Sequence, residues 1–324
     1  MAGTVVEYLI PQSQRRTPDE LVDRLDLGDG DIRAKQSAFW LMLVLSGVIA
    51  ISGVIGDSTA TVIGAMIVAP LSVPILGVAL GIVTGRGGLL GRSLVFVAAG
   101  VVIVVVLGFV FAQLLPNPVN VLSNGQVLGR TSPKLVDLTA AVATGLVAAV
   151  AVVRRDVGDV LPGVAIAISL VPPLGVVGVC LGSGAPALAL GAFVLFASNV
   201  VAMVVTATVV LLLTGYRQDG TRRTRAYLVL AAAAVLVAVP LVVNSLSTLW
   251  AGQIADATRA WLGDDPHAEV LDVTLHGDVA TVTVLSGADL PPLSLLQSAV
   301  DDVVPWHPSV VLVHNVGGRI DRGD

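Results

Sequence analysis

The residues of this chain best placed to do chemistry are prolines inside apolar runs, with small polar side chains beside them. Pro70 and Pro74, with Ser72 between them, interrupt one membrane-length segment. Pro172 and Pro173, preceded by Ser169, interrupt another. A proline lacks the N–H donor and clashes with the carbonyl four residues back, at about 3 kcal/mol or more inside a helix. In hydrocarbon, each freed carbonyl is costly unless something satisfies it. Broken backbone at membrane depth must therefore be buried in protein or face a wet cavity. Half-helix N-termini would suit an anion or carboxylate, and carbonyls at half-helix C-termini would suit a cation. A kink that only helps helices pack is the competing explanation.

The two interruptions belong to a duplication. At an offset of 99 positions, Gly64 meets Gly163, Leu71 meets Leu170, Pro74 meets Pro173 and Asp57 meets Asp156. The same offset aligns Phe96–Val102 with Leu195–Val201 without a gap, which sets Asn199 opposite Gly100. A repeated unit with a broken helix in each copy is a common way to build a solute site at mid-bilayer. The expected path is shaped by Gly64, Pro70, Ser72, Pro74 and Gly77 in the first copy. Gly163, Ser169, Pro172, Pro173, Gly175 and Asn199 shape it in the second. Asn199 either coordinates solute or bonds carbonyls freed by the second break, since a buried amide must find partners. The glycines also serve close helix packing. Asp57, Ser58, Thr59 and Thr61 form either a helix cap or a vestibule, and Asp156 is the equivalent acid at the opposite mouth.

These residues need membrane helices to hold them. The chain has 324 residues, 55% hydrophobic and 13% charged, with a mean hydropathy of +0.90. Soluble chains carry about 25% charged residues, so an integral membrane protein is expected. Seven segments reach spanning length: 38–56, 59–83, 93–115, 137–153, 160–181, 186–214 and 226–250. All 18 Lys and Arg lie outside them, 13 on the side of the N-terminal head and 5 on the other. The positive-inside rule then sets the head in the cytoplasm and the tail outside. Three spans per copy is an odd number, so the copies are inverted with respect to each other. No secretory signal precedes the first span, which reads as a retained anchor.

The division that follows is a polar head at 1–37, repeat 1 at 38–115, an outer loop at 116–136 and repeat 2 at 137–214. An inner loop and span 7 occupy 215–250, and 251–324 form a small α+β tail. In the head, Val5 to Ile10 reads as a strand, and Thr17-Pro18-Asp19-Glu20 as a capped helix start. In the tail, Leu271, Val273 and Leu275 alternate as a strand. Gly277-Asp278 turns into Val279–Leu285. Leu293, Leu296, Val300 and Val303 share one helical face.

Other chemistry is thin. The single Cys180 gives no disulfide framework. His267, His276, His307 and His314 all lie in the acidic tail, at spacings that match no standard zinc signature. No acid, base or histidine falls deep in a span, which argues against an intramembrane proton relay. No nucleophile elbow, phosphate loop or nucleic-acid footprint is present, so no enzyme, cofactor or nucleic-acid partner is expected.

The stretch from Ser58 to Gly77, with Gly64-Ala-Met-Ile-Val-Ala-Pro70-Leu-Ser-Val-Pro74 at its centre, resembles the signature of the DUF389 family of bacterial membrane proteins. Gly163 to Gly175 is similar to that family's second conserved segment, and the resemblance covers roughly 37–215. It implies a fold and no activity. The expectation is a polytopic α-helical protein of a bacterial plasma membrane: an inverted three-plus-three repeat with broken helices, a seventh helix and a C-terminal α+β domain. Its function is expected to be transport or channel-like conduction of a small solute or ion. The alternative is a non-transporting scaffold or sensor whose outer domain binds a ligand or partner. Beyond the lipid bilayer and the solute, a homo-oligomer would cover the remaining Gly- and Ala-rich faces.

Overall fold

A computed structural model describes residues 7–114, 123–131, 135–157, 170–216, 223–263, 268–276, 279–287 and 290–316. It divides into two compact units, residues 1–241 and 242–324.

The first unit is helical. Helix α1 (Pro18–Leu25) opens on a capping box: Thr17 and Glu20 each accept the other's backbone N–H. That closes two orphan donors at once. Leu21, Val22 and Leu25 form its buried side, as their spacing predicts. The expected strand at 5–10 is not seen over its described part, where Glu7–Leu9 is helical. Helix α2 (Ile32–Ile55) follows, with Asp31 capping through Ala34 N–H.

The second expected span is two helices, α3 (Thr59–Val68) and α4 (Ser72–Thr84), bent by 48°. Ala69 before Pro70 is extended (φ −68°, ψ 124°), the conformation a following proline imposes. With α3 ten residues long, the break lies about 15 Å along the segment at 1.5 Å per residue. Then come α5 (Gly87–Leu114), α6 (Gly125–Thr131), α7 (Leu135–Val153), α8 (Val171–Gly182) and α9 (Pro186–Leu213). Among the described residues α2, α5, α7 and α9 are long and apolar enough to cross a membrane, and the α3–α4 pair adds a broken fifth. Only the second half of the fifth expected span is described, as α8. Gly163 and Ser169 lie outside the described residues.

Side-chain anchors give each helix a direction. The head holds the start of α2 through Lys35–Asp23 and the start of α5 through Arg92–Asp26. It holds the end of α7 through Arg16 N–H to Val153 O, and the end of α9 through Arg15 to Thr214 O. At the far end, Asn124 donates to Val54 O of α2, and Gln113 of α5 donates to Gly182 O of α8. So α2 and α5 run away from the head, and α7 and α9 run toward it. The half-helix α4 starts in the interior and runs toward the head, with Gly77 packed beside Leu25 of α1. The half-helix α8 also starts in the interior and runs the other way.

The core forms around these two half-helices. Residues 74–81 of α4 and 171–180 of α8 are buried throughout. Helix α8 crosses α5 at glycines: a Cβ on Gly178 would sit 2.3 Å from Val105 O, and one on Gly108 2.8 Å from Gly175 O. Such backbone contact is open only to glycine.

Span 7 and the first helix of the tail are one helix, α10 (Arg223–Leu262), and the division between the two units falls within it. The second unit adds β1 (Glu269–His276), β2 (Val279–Ser286), α11 (Leu293–Val303) and β3 (Ser309–Val316). The sheet order is β1-β2-β3, with the first pair antiparallel and the second parallel. Leu296 and Val300 of α11, Ile254 of α10 and alternate residues of β2 make its core. In β1 the alternation breaks: a bulge between Val270 and Asp272 turns Leu271 outward, and Val270 takes the inward position beside Val273 and Leu275. The Gly277-Asp278 turn lies outside the described residues.

Candidate functional site

Two cavities touch the broken helices, one at each end of the first unit. The head-end cavity, about 510 Å³, is bounded by the first turns of α2 (Lys35, Ala38, Phe39, Met42), by α1 and its flank (Arg16, Glu20, Asp23), and by Pro70 and Val73 at the first break. The far-end cavity, about 270 Å³, is bounded by Asp137 and Ala140 on the first turns of α7, by Arg130 of α6, by Met66 of α3, and by Pro173, Leu195 and Asn199. Ala38 lines one cavity, and Asp137, 99 positions on, lines the other.

The sequence-derived path residues divide accordingly. Pro70 borders the head-end cavity; Pro173 and Asn199 border the far-end one. Asn199 is 6% exposed. Ser72, Pro74, Gly77, Pro172 and Gly175 are buried near the breaks but line neither cavity. Gly77 lets Ser93 and Leu25 O approach, and Gly175 packs against Ile51; Gly64 is half-buried with open space where a Cβ would point.

Prolines change what the interior helix ends can offer. No side chain caps α4 or α8. In the first turn of α8, Pro172 and Pro173 have no N–H. In that of α4, Pro74 has none and Val73 N–H is spent on Pro70 O. The dipole remains but half of the orphan backbone donors at each end are gone, which leaves more of any polar contact to side chains.

The expected vestibule residues serve mainly as braces. Ser58, not Asp57, caps α3, accepting Thr61 N–H and bonding the Thr61 hydroxyl. Asp57 has a left-handed backbone (φ 48°) and instead accepts the Gln126 N–H at 3.0 Å, at the start of α6. Thr59 accepts from the Gln126 side chain. Asp156 pairs with Arg154 at the head end, a contact that holds its carboxyl below the usual range.

Two features escape pattern reading. Arg16 fastens the head by donating Nη1 to carbonyls at and just beyond the end of α7, those of Ala151, Val152 and Arg154, at 2.8–3.3 Å. Tyr216 then donates its hydroxyl to Arg16 O. The partners lie 135 or more positions apart, so nothing in the local sequence joins them. Arg130 is half-buried and donates Nη1 to the carbonyl and side-chain oxygens of Gln126. Burial pulls its pKa down. Among the described residues no carboxylate lies within ion-pair distance of Arg130, and no group of three or more potential metal ligands is found.

These features define a helical protein with membrane-spanning-grade helices, one broken in mid-course, and a separate small α+β unit. Residues 66–205 match the family model DUF389, described as a domain of unknown function. It is also similar to an uncharacterized protein of the archaeon Methanocaldococcus jannaschii, 29% identical over 200 residues. That match covers 61% of this chain and 61% of the relative. Because the relative is archaeal, the match carries no bacterial assignment. No solved structure matches.

Proposed function

We propose that the chain moves a small solute or ion across a membrane through a route between the interior ends of α4 and α8. One observation carries this reading: two cavities at opposite ends of the helical unit each reach one break, on repeat-related walls. The opposed directions of α2 and α7, and of α4 and α8, support two inverted copies related by an axis in the membrane plane. In that arrangement α1 covers one mouth and α6 the other. The Lys and Arg bias supports a cytoplasmic head. Each cavity sets charged groups beside apolar ones, Glu20 and Lys35 near Phe39 in one and Arg130 and Asp137 near Met66 in the other, as a site for a small polar solute needs.

Flux into proteoliposomes across a panel of ions and small metabolites is the test. Wild type is expected to carry at least one solute, and Asn199→Ala and the double variant Pro74→Ala/Pro173→Ala to reduce that flux. No flux for any solute would favour a scaffold or sensor, and flux indifferent to all three substitutions would remove the proposed route.

A further inference from the structure

We propose that the far-end cavity binds a small solute through a carboxylate, held by the guanidinium of Arg130. The inference rests on the transport reading for what that solute is doing there, but the binding itself is separable.

Arg130 lines the cavity, is half-buried, and finds its hydrogen-bond acceptors among the described residues only in its own helix, at Gln126. A cation removed from water with no anion beside it is costly. Burial lowers its pKa, and no carboxylate among the described residues pairs with it to offset that cost. A bound carboxylate would remove it, and the planar fork of arginine matches a carboxylate with two parallel N–H bonds. The helix end behind the cavity is a poorer anion site, because Pro172 and Pro173 contribute no N–H. The amide of Asn199 lines the cavity beside Pro173.

Asp137 shares the cavity, yet it forms no ion pair with Arg130. Opposite charges held apart on one cavity disfavour a dianion. They leave room for a solute with one negative group, with or without an ammonium at the other end. The volume, about 270 Å³, falls just under the range of about 300–1,000 Å³ typical of drug-sized ligands. Met66, Leu195 and Ala140 give the rest of the wall an apolar surface. The occupant is therefore a compact monocarboxylate or a small zwitterion.

Saturation-transfer NMR on the full chain in lipid nanodiscs, with acetate, glycine and acetamide as probes, tests this without requiring transport. Acetate and glycine are expected to bind and neutral acetamide not to. Arg130→Gln is expected to weaken carboxylate binding by at least about tenfold, and Arg130→Lys, which keeps charge but loses the fork, to fall between. Asp137→Asn separates the two sources. If it weakens glycine and spares acetate, the solute carries an ammonium; if both are unchanged or tighter, it is a plain carboxylate. Acetamide binding as well as acetate, no carboxylate binding at all, or a folded Arg130→Gln protein that binds acetate like wild type would each overturn the proposal. Carboxylate binding without flux would leave this site standing and remove the transport reading. Flux of a cation or neutral solute without carboxylate binding would do the reverse.

Discussion

Asp26 is the most consequential charged side chain that pattern reading passes over. It is 3% exposed. Its carboxylate takes two bonds from Arg92, at 3.2 and 2.5 Å, and the Gly28 N–H at 2.8 Å. Burial by itself would raise its pKa, but the Arg92 and Gly28 donors outweigh burial and hold it below the ordinary value. Because the folded pKa is depressed, the stabilisation is complete above the unfolded pKa of about 3.9. It is lost as pH falls through the lower folded value. Asp26→Asn should therefore melt at lower temperature than wild type, with a gap that is constant above about pH 5 and closes at more acid pH. Asp26→Ala, which strands a half-exposed guanidinium, should cost about 1–3 kcal/mol in a denaturation series. Nothing in the local sequence joins Asp26 to Arg92. The capping box of α1 was legible because its partners are three residues apart; this pair is 66 apart, and only the fold brings it together.

Broken and crossing helices show where sequence pattern holds and where it stops. The interruption at Pro70 follows from proline chemistry alone, and a 48° bend is found there. The close crossing of α5 and α8 has a weaker signature, since glycines are common in apolar segments and only coordinates say which touch. Gly178 is the tightest point: the missing Cβ would meet Val105 O at 2.3 Å and the backbone of Gly108 and Phe109 at 2.7–2.8 Å. None of these atoms can swing away as a side-chain tip would. Gly178→Ala should force the helices apart and cost about 1–3 kcal/mol, read as a lower melting temperature in detergent. Gly64→Ala, with open space around its Cβ, is the matched control and should change stability little. In the tail, the alternation Leu271, Val273, Leu275 marked a strand, and Val273 and Leu275 pack on the core while Leu271 does not. A bulge between Val270 and Asp272 shifts the first residues, and single-strand alternation carries no information about a partner's register. The continuity of α10 was hidden for a different reason: composition changes near residue 250 while the backbone does not.

The order of cavity, half-helix and core across the whole helical unit leads to a test of sidedness. Cys180 is fully buried and is the single cysteine of the chain, so an introduced thiol can be labelled against a silent background. Ala38 and Ala140 are exposed, small, and line the head-end and far-end cavities respectively. A membrane-impermeant maleimide should label Ala38→Cys only from the face that holds the head, and Ala140→Cys only from the other. If the head is cytoplasmic, as proposed from the 13 of 18 basic residues expected on that side, Ala140→Cys should react in intact cells. Ala38→Cys should then react only in inverted vesicles. A bulky adduct at either position should also stop flux, because each cavity reaches one of the two breaks and a route needs both. The physical ground is the prohibition on unpaired backbone in hydrocarbon: interior helix ends survive there only if protein encloses them or water reaches them. Water reaching each break from a different face is the arrangement of a transmembrane path. Labelling of both positions from one face would mean that the two cavities open together, and the inverted relation of the copies would fall with the path.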